Sequence, residues 1–411
     1  MMAYELSHSE RLDIGRLIEE QQRELARLSA WWRRRCPDLE HGGYVGEINN
    51  QGEILASTPK RAVAQARLCW FFSVLAKRFH SAEDINLANS GRDHLLKYFF
   101  DRKHGGVYWE TDRAGHPTDT RKQAYAQAFV IYAFSAHFGA TGDPVSRDHA
   151  LHLFELIESQ FRDREQIGYW EAKSHDWTPL DDVRLSEHDI LAPKSMNTHL
   201  HILEAYSELY AVTRNADVGK ALSDLIALHI DQIFDAKTKH LWMFWTADWQ
   251  DASTHISFGH DIEASWLLWE AAERLGCPQT LAKVRGVVTT LADAVLEQGS
   301  GPNGEVFNDQ SLVNGQQDTN RVWWGQAEAM VGHLNAYGLT ENPAHLRRVF
   351  ELWHFIQTHI IDNKAGEWRW YSSLDEQPSP YLAGPWKTAY HNGRSLIQCV
   401  ERLQKIEQDK L

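Results

Sequence analysis

Ionisable and aromatic residues of uncommon placement recur in this chain just after short loops, where helical apolar patterning begins. His260 and Glu263 occur in Phe258-Gly259-His260-Asp261-Ile262-Glu263-Ala264-Ser265-Trp266. Three apart, they share a helix face. A carboxylate beside an imidazole orients the ring and raises its pKa toward neutrality, which suits proton transfer. The bland alternative, a surface pair without a role, is disfavoured by the approach through Gly259 and by the apolar residues that follow. His199 and His201, in Lys194-Ser195-Met196-Asn197-Thr198-His199-Leu200-His201, are two apart and point to different faces. One of them must therefore be a core histidine bonded to backbone. Arg67 precedes Leu68-Cys69-Trp70-Phe71-Phe72. A cation amid so much apolar surface needs an anionic partner or an oxygen-rich ligand. An ion pair with Glu263 or Glu328 would serve, and is compatible with ligand contact. Tyr125, the tandem Trp323-Trp324 with Glu328 close behind, and Trp386 ahead of His391 complete the set. Tandem tryptophan at a helix start beside a carboxylate leans toward a lining role rather than plain core.

His201, His260, Glu263 and His391 are also potential metal ligands, but no H-E-x-x-H motif or paired Cys/His spacing accompanies them, so no metal is expected. No phosphate loop of the G-x-x-x-x-G-K type occurs in the sequence. What remains is acid–base chemistry.

The elements that must position these groups come from a repeat. A Gly-aromatic segment occurs six times: His41-Gly42-Gly43-Tyr44, His104-Gly105-Gly106-Val107-Tyr108, Ile167-Gly168-Tyr169-Trp170, Lys239-His240-Leu241-Trp242, Gly304-Glu305-Val306-Phe307 and Gly366-Glu367-Trp368-Arg369-Trp370. Anchored on Gly43, Gly106, Gly168, His240, Gly304 and Gly366, the steps are 63, 62, 72, 64 and 62 residues. Such a period marks a repeat architecture. Each copy reads as a brief strand followed by two helices. The patterning predicts helices over 14–36, 61–79, 83–99, 121–139, 145–163, 194–213, 216–235, 258–274, 279–298, 320–337, 342–361 and 386–406. Met196–Val212 and Ala264–Ala272 are apolar nearly all round, as an inner helix should be. Val218–Phe234 carries only a stripe (Val218, Leu222, Leu225, Leu228, Ile233), as an outer helix should. The expected fold is all-α: an (α/α)6 barrel of six inner and six outer helices with short β-hairpins at one end, forming a single domain over 1–411. A linear solenoid is the rival, but usually wants more repeats and polar caps. In a closed ring the inner helices all start at one end of the central cavity, so the residues named above converge there.

Composition narrows the ligand. The net charge of −14 and the absence of a basic tract make nucleic acid and anionic membrane poor partners. No charged-then-apolar leader and no run of about eighteen apolar residues occurs. The polar Met1–Ser9 stretch is expected to fray. Four cysteines (Cys36, Cys69, Cys277, Cys399) lie far apart and fit free thiols in a reducing cytoplasm. Seventeen tryptophans exceed what a core needs. The surplus suits a concave site whose flat ring faces stack on the C–H surfaces of a neutral polyhydroxyl ligand.

Three phrases resemble a known family: Lys194 to His201, Phe258 to Trp266, and Tyr390-His391-Asn392-Gly393-Arg394, with Asp119-Thr120-Arg121 and Trp323-Trp324 in support. They are similar to the cellobiose 2-epimerases of the N-acylglucosamine 2-epimerase superfamily, which also holds mannose 2-epimerases and mannose isomerases. The resemblance implies an (α/α)6 barrel and inversion at C2 of a reducing-end aldose. The sugar opens, a base removes the C2 proton to give a cis-enediolate, and an acid returns a proton from the opposite face. It implies that His260 and His391 are the catalytic pair, that Arg67 and His201 hold substrate oxygens, and that His201 is the inward histidine. Glu263 would orient His260. Tyr125, Asn197, Trp324, Glu328 and Trp386 would bind substrate, with no cofactor and a sugar as partner, in a monomer or weak homodimer. The chain departs from the family pattern at Gln65 (usually Asn), at Ala389 (usually Pro) and in Gln377–Pro385, which lacks the charge expected near a second sugar. Competing expectations are an aldose–ketose isomerase, a glycoside hydrolase using Glu263 and Glu328 across the scissile bond, and a non-catalytic sugar binder.

Overall fold

The computed structural model describes residues 8–187 and 189–409. Its helices are α1 (His8–Arg35), α2 (Ala62–Phe79), α3 (Ala82–His94), α4 (Ala124–Thr141), α5 (Pro144–Leu156), α6 (Met196–Thr213), α7 (Ala216–Leu228), α8 (Phe258–Leu275), α9 (Pro278–Gln298), α10 (Trp323–Thr340), α11 (Pro343–Phe355) and α12 (Tyr390–Asp409). The even-numbered helices pack in the order α2, α4, α6, α8, α10, α12 and back to α2, closing a ring. The odd-numbered helices form the outer layer, and α1 completes it by packing on α12. This is the (α/α)6 barrel that the repeat predicted.

Burial follows the sequence pattern. Every residue of α4 from Ala124 to His137 is buried, whereas α7 buries only the stripe of Val218, Leu222, Leu225 and their neighbours. Inner and outer helices join by a tight turn. One left-handed residue ends α2, α4, α6, α8 and α10, at His80, Gly142, Arg214, Gly276 and Glu341 respectively. Ser81, Asp143, Asn215 and Asn342 then accept backbone N–H groups to start the outer helix, with proline at the first turn of α5, α9 and α11. These are ordinary caps.

At the other end of the ring the Gly-aromatic segments turn back. Gly43, Gly106, Gly168, Gly304 and Gly366 have positive φ, and in the fourth copy Lys239 takes that conformation at φ 68°. Residues just before the inner helices pair with the next copy as strands: Lys122 and Gln123 with Lys173 and Ala172, Lys194 and Ser195 with Trp245 and Phe244. For this reason α4, α6 and α10 begin two or three residues later than the patterning predicts, and α12 begins four residues later. Four outer helices end in one π-helical turn, Leu95–Phe99, Ile157–Phe161, His229–Ile233 and Ile356–Ile360, which carries the apolar stripe to its predicted end. Of the stretch expected to fray, residues 1–7 lie outside the described residues, and residues 8 and 9 are helical. Among the described residues no helix is long and apolar enough to cross a membrane.

Candidate active site

One polar position in each inner helix ties the hairpin to the ring. Tyr44 N–H donates to Gln65 Oε1, and Gln65 Nε2–H donates to Tyr44 O, both at 2.9 Å. Gln127 does the same for Val107, and Gln326 for Val306. His199 accepts from Tyr169 N–H at 2.9 Å, and Asp261 from Leu241 N–H at 2.9 Å. In the sixth copy Asn392 reaches the segment through Glu367. Gln65 therefore performs a structural task, and so does His199, whose Nδ1 meets Ser195 O. Ion pairs reinforce five of the six hairpins: Lys60–Asp38, Lys122–Asp101, Lys194–Asp163 and Lys387–Glu367, all buried, and the part-buried Arg321–Glu305.

These clamps give the repeat an internal register. Two residues beyond them stand Arg67, Phe129, His201, Glu263, Glu328 and Arg394; one residue before the fourth and sixth stand His260 and His391. The two histidines thus occupy the same position of repeats separated by one other, and Trp324 lies between them. Its ring centroid is 4.8 Å from that of His260 and 5.5 Å from that of His391.

Both histidines line a cavity of about 310 Å³, at the lower end of ordinary ligand pockets. Arg67, Tyr125, Asn197, His201, Glu263, Trp324 and Trp386 share its wall. A larger hollow of about 450 Å³ lies on the outer side near Arg162 and Asp224, which pair with each other. It holds no histidine and no acid–base pair, so the chemistry belongs to the central cavity.

Arg67 is buried, and its charge is met by ring faces: its guanidinium carbon is 4.4 Å from the Phe129 centroid and 4.5 Å from that of Tyr390. It donates to Tyr125 Oη at 2.9 Å and to Trp386 O at 3.2 Å, rather than to Glu263 or Glu328. Its buried Nε has no partner, and neither does Asn197 Oδ1. Unpaired polar groups in a cavity wall are costly until a ligand meets them.

Two expectations change. Glu263 does not orient His260, whose Nδ1 lies 2.8 Å from Ser257 Oγ; the side chain turns instead to Arg394 at 2.6 Å and stands 3.9 Å from His391 Nδ1. Glu328 does not face the cavity. It is fully buried behind His391, with Oε1 2.6 Å from Nδ1, and accepts from Trp266 Nε1–H at 3.0 Å. Helical spacing named the right side chains but not their partners, because the ring brings α8, α10 and α12 together at this point. The two carboxylates share one Arg394 nitrogen instead of facing each other across the cavity, which removes the pairing that a glycosidase needs. Glu263, Glu328 and His391 place three donor atoms within 4.8 Å of one another, but both carboxylates already accept from that guanidinium. The four-residue metal set considered from sequence does not come together as such a cluster among the described residues.

Burial, with the neighbouring imidazoles, pushes His260 down to about 3. Burial and the cations of Arg67 and Arg394 likewise hold His391 well below its usual value. Burial and the adjacent Glu328 push Glu263 up to about 7, and burial raises Glu328 as well. At neutral pH His260 and His391 are therefore neutral, beside a carboxyl group, that of Glu263, which titrates there.

Sequence reasoning missed Leu185, Ser186 and Asp189, which line the cavity with Trp323 and Trp370. The first three sit on the loop of residues 174–193. The signal was the one long step of the repeat, 72 residues where the others are 62 to 64. Arg394 was quoted only as part of a motif.

The family model described as N-acylglucosamine 2-epimerase (GlcNAc 2-epimerase) matches residues 43–395. A cellobiose 2-epimerase of Bacteroides fragilis is 40% identical over 385 residues, covering 93% of this chain and 98% of the relative. That of Dictyoglomus turgidum is 38% identical over 370 residues, covering 89% and 93%. The solved cellobiose 2-epimerase of Bacillus thermoamylovorans superposes with a TM-score of 0.90 at 34% identity, covering 94% of this chain and all of that one.

Proposed function

The chain belongs to the N-acylglucosamine 2-epimerase family and is a sugar epimerase; from that premise we propose that it inverts C2 of a reducing-end aldose, between glucose and manno configurations, in a cellobiose-type disaccharide or free sugar. The observation that carries the reading is the pair of imidazoles, His260 and His391, in one repeat position on either side of Trp324 in one cavity.

The open-chain aldehyde acidifies the C2 proton. One imidazole takes it in the neutral form; the other, which takes up a proton from water when the sugar binds, returns that proton to the opposite face, so the two rings exchange protonation states over a turnover. The oxygens of the cis-enediolate are held by Arg67, a preorganised donor to the oxyanion, and by His201, whose ring nitrogen accepts from the oxygen that keeps its hydrogen. Charge on the enediolate offsets the Arg67 cation that disfavours a charged His391, so the pocket accepts a proton on that ring as the intermediate forms. Glu328 and Glu263 behind His391 stabilise its protonated state, whereas Ser257 offers His260 only a hydroxyl. Trp324 and Trp386 supply ring faces for the sugar, and relatives named for cellobiose support a disaccharide. Four unpaired cysteines support a reducing compartment.

The test is product analysis by NMR in deuterated water with cellobiose, lactose, mannose, glucose and N-acetylglucosamine. The expected result is the C2 epimer with deuterium at C2. A ketose as main product, labelled at C1, would replace epimerase by isomerase. Saturable binding with no exchange of the C2 hydrogen would make this a sugar-binding protein.

A further inference from the structure

Arg394 is fully buried and lies one layer behind the cavity wall, yet both carboxylates that back a pocket histidine meet on it. His201 Nδ1 lies 2.9 Å from Glu204 Oε2, and Glu204 Oε1 accepts from Arg394 Nη1. On the other side Arg394 Nη2 donates at 2.7 Å to Glu328 Oε1, which is 2.6 Å from His391 Nδ1. Tyr390 braces the assembly: its hydroxyl donates to Glu204, and its ring lies under the guanidinium at 4.1 Å. The chain His201–Glu204–Arg394–Glu328–His391 is thus continuous through one side chain.

The acceptors decide the tautomers. Arg394 and Tyr390 donate to Glu204, so the carboxylate can only accept from His201. Glu328, ionised against the Arg394 guanidinium, accepts on both oxygens, from Arg394 and from Trp266 Nε1–H, so it too can only accept from His391. Each neutral imidazole must carry its hydrogen on Nδ1 and leave the Nε2 lone pair for the cavity. His260, backed by a hydroxyl that can donate or accept, is under no such constraint. Lysine could not substitute: a planar fork reaches two separate carboxylates, and a point charge reaches one.

We propose that Arg394 is a positioning residue which, through Glu204 and Glu328, fixes His201 and His391 together in the Nδ1–H tautomer with Nε2 facing the substrate. This rests on the epimerase reading, but its test needs no turnover. In protein labelled with 15N-histidine, ring nitrogen shifts of the sugar-free enzyme, assigned with His201→Gln and His391→Asn, should show Nδ1–H at both residues. Glu204→Gln keeps the shape; its amide oxygen should stay with Arg394 and its NH2 should turn to His201, which then switches to Nε2–H while His391 is unchanged. Arg394→Lys should mix the tautomers, lower kcat by about 10²-fold with KM little changed, and displace the pH profile of kcat. The proposal is overturned if Glu204→Gln leaves the His201 shifts as they were, or if folded Arg394→Lys keeps both tautomers and its kcat. Should Arg394→Lys not fold, Glu204→Gln decides alone. Correct tautomers in a wild-type enzyme that exchanges no C2 hydrogen would sink the epimerase reading and leave this one standing.

Discussion

At the residue scale, the site separates groups that touch the sugar from groups that hold them. His260→Ala and His391→Asn should each lower kcat by about 10²–10⁴-fold and abolish C2 deuterium exchange, with thermal melts close to wild type. A loss of melting cooperativity in both would mean that the rings serve the core. Glu263 gives the pH dependence its sign. With its pKa raised to about 7, it is neutral below that pH and offers His391 no negative charge; above it, the carboxylate helps His391 hold a proton. The profile of kcat/KM should therefore rise through about pH 7 rather than through the ordinary histidine value. In Glu263→Gln that rise should disappear and the rate should stay at the low-pH level. An unchanged profile in the variant would assign the ionisation to another group.

At the element scale, the close approach of α8 and α10 is what aims the wall. Gly259 precedes His260 in the first turn of α8, and a Cβ there would stand 2.5 Å from the Trp324 ring. Gly259→Ala must push Trp324 out of its place between the two histidines. A displacement of that kind in a reacting constellation can cost about 10²-fold in rate. Because Trp324 borders an open cavity, stability should fall little. Parallel measurement of kcat and Tm checks this: a large fall in Tm with kcat retained would show Gly259 serving the helix pair and not the site. The loop of residues 174–193 is the other element-level device, since the longest repeat step supplies Leu185, Ser186 and Asp189 to the rim.

At the scale of the whole molecule, stability is a sum over six similar joints. Gln127 and Gln326 each close two hydrogen bonds on a buried hairpin backbone. Replacing either by Leu strands a buried N–H and C=O, at a cost of about 2–4 kcal/mol. The two sit in non-adjacent repeats, so the double variant should lose about the sum. Denaturant titration of the three variants tests it; a double-variant loss well below the sum would show coupling between distant repeats.

The sequence by itself determined the ring, the alternation of inner and outer helices, and the end at which the chemistry gathers. Each of these follows from local patterning: a period near 62 residues, an apolar face or stripe, and polar groups at the starts of the inner helices. His260, His391 and Arg67 were legible because a polar group at the start of an apolar helix is conspicuous along the chain. The tertiary structure alone decided which carboxylate serves which imidazole. Residues 263, 328 and 394 belong to three helices, and helical spacing relates only neighbours on one. Glu263 looked like the partner of His260 because they share a face; closure of the ring brought the α12 guanidinium nearer, and a buried charge goes to the strongest opposite charge within reach.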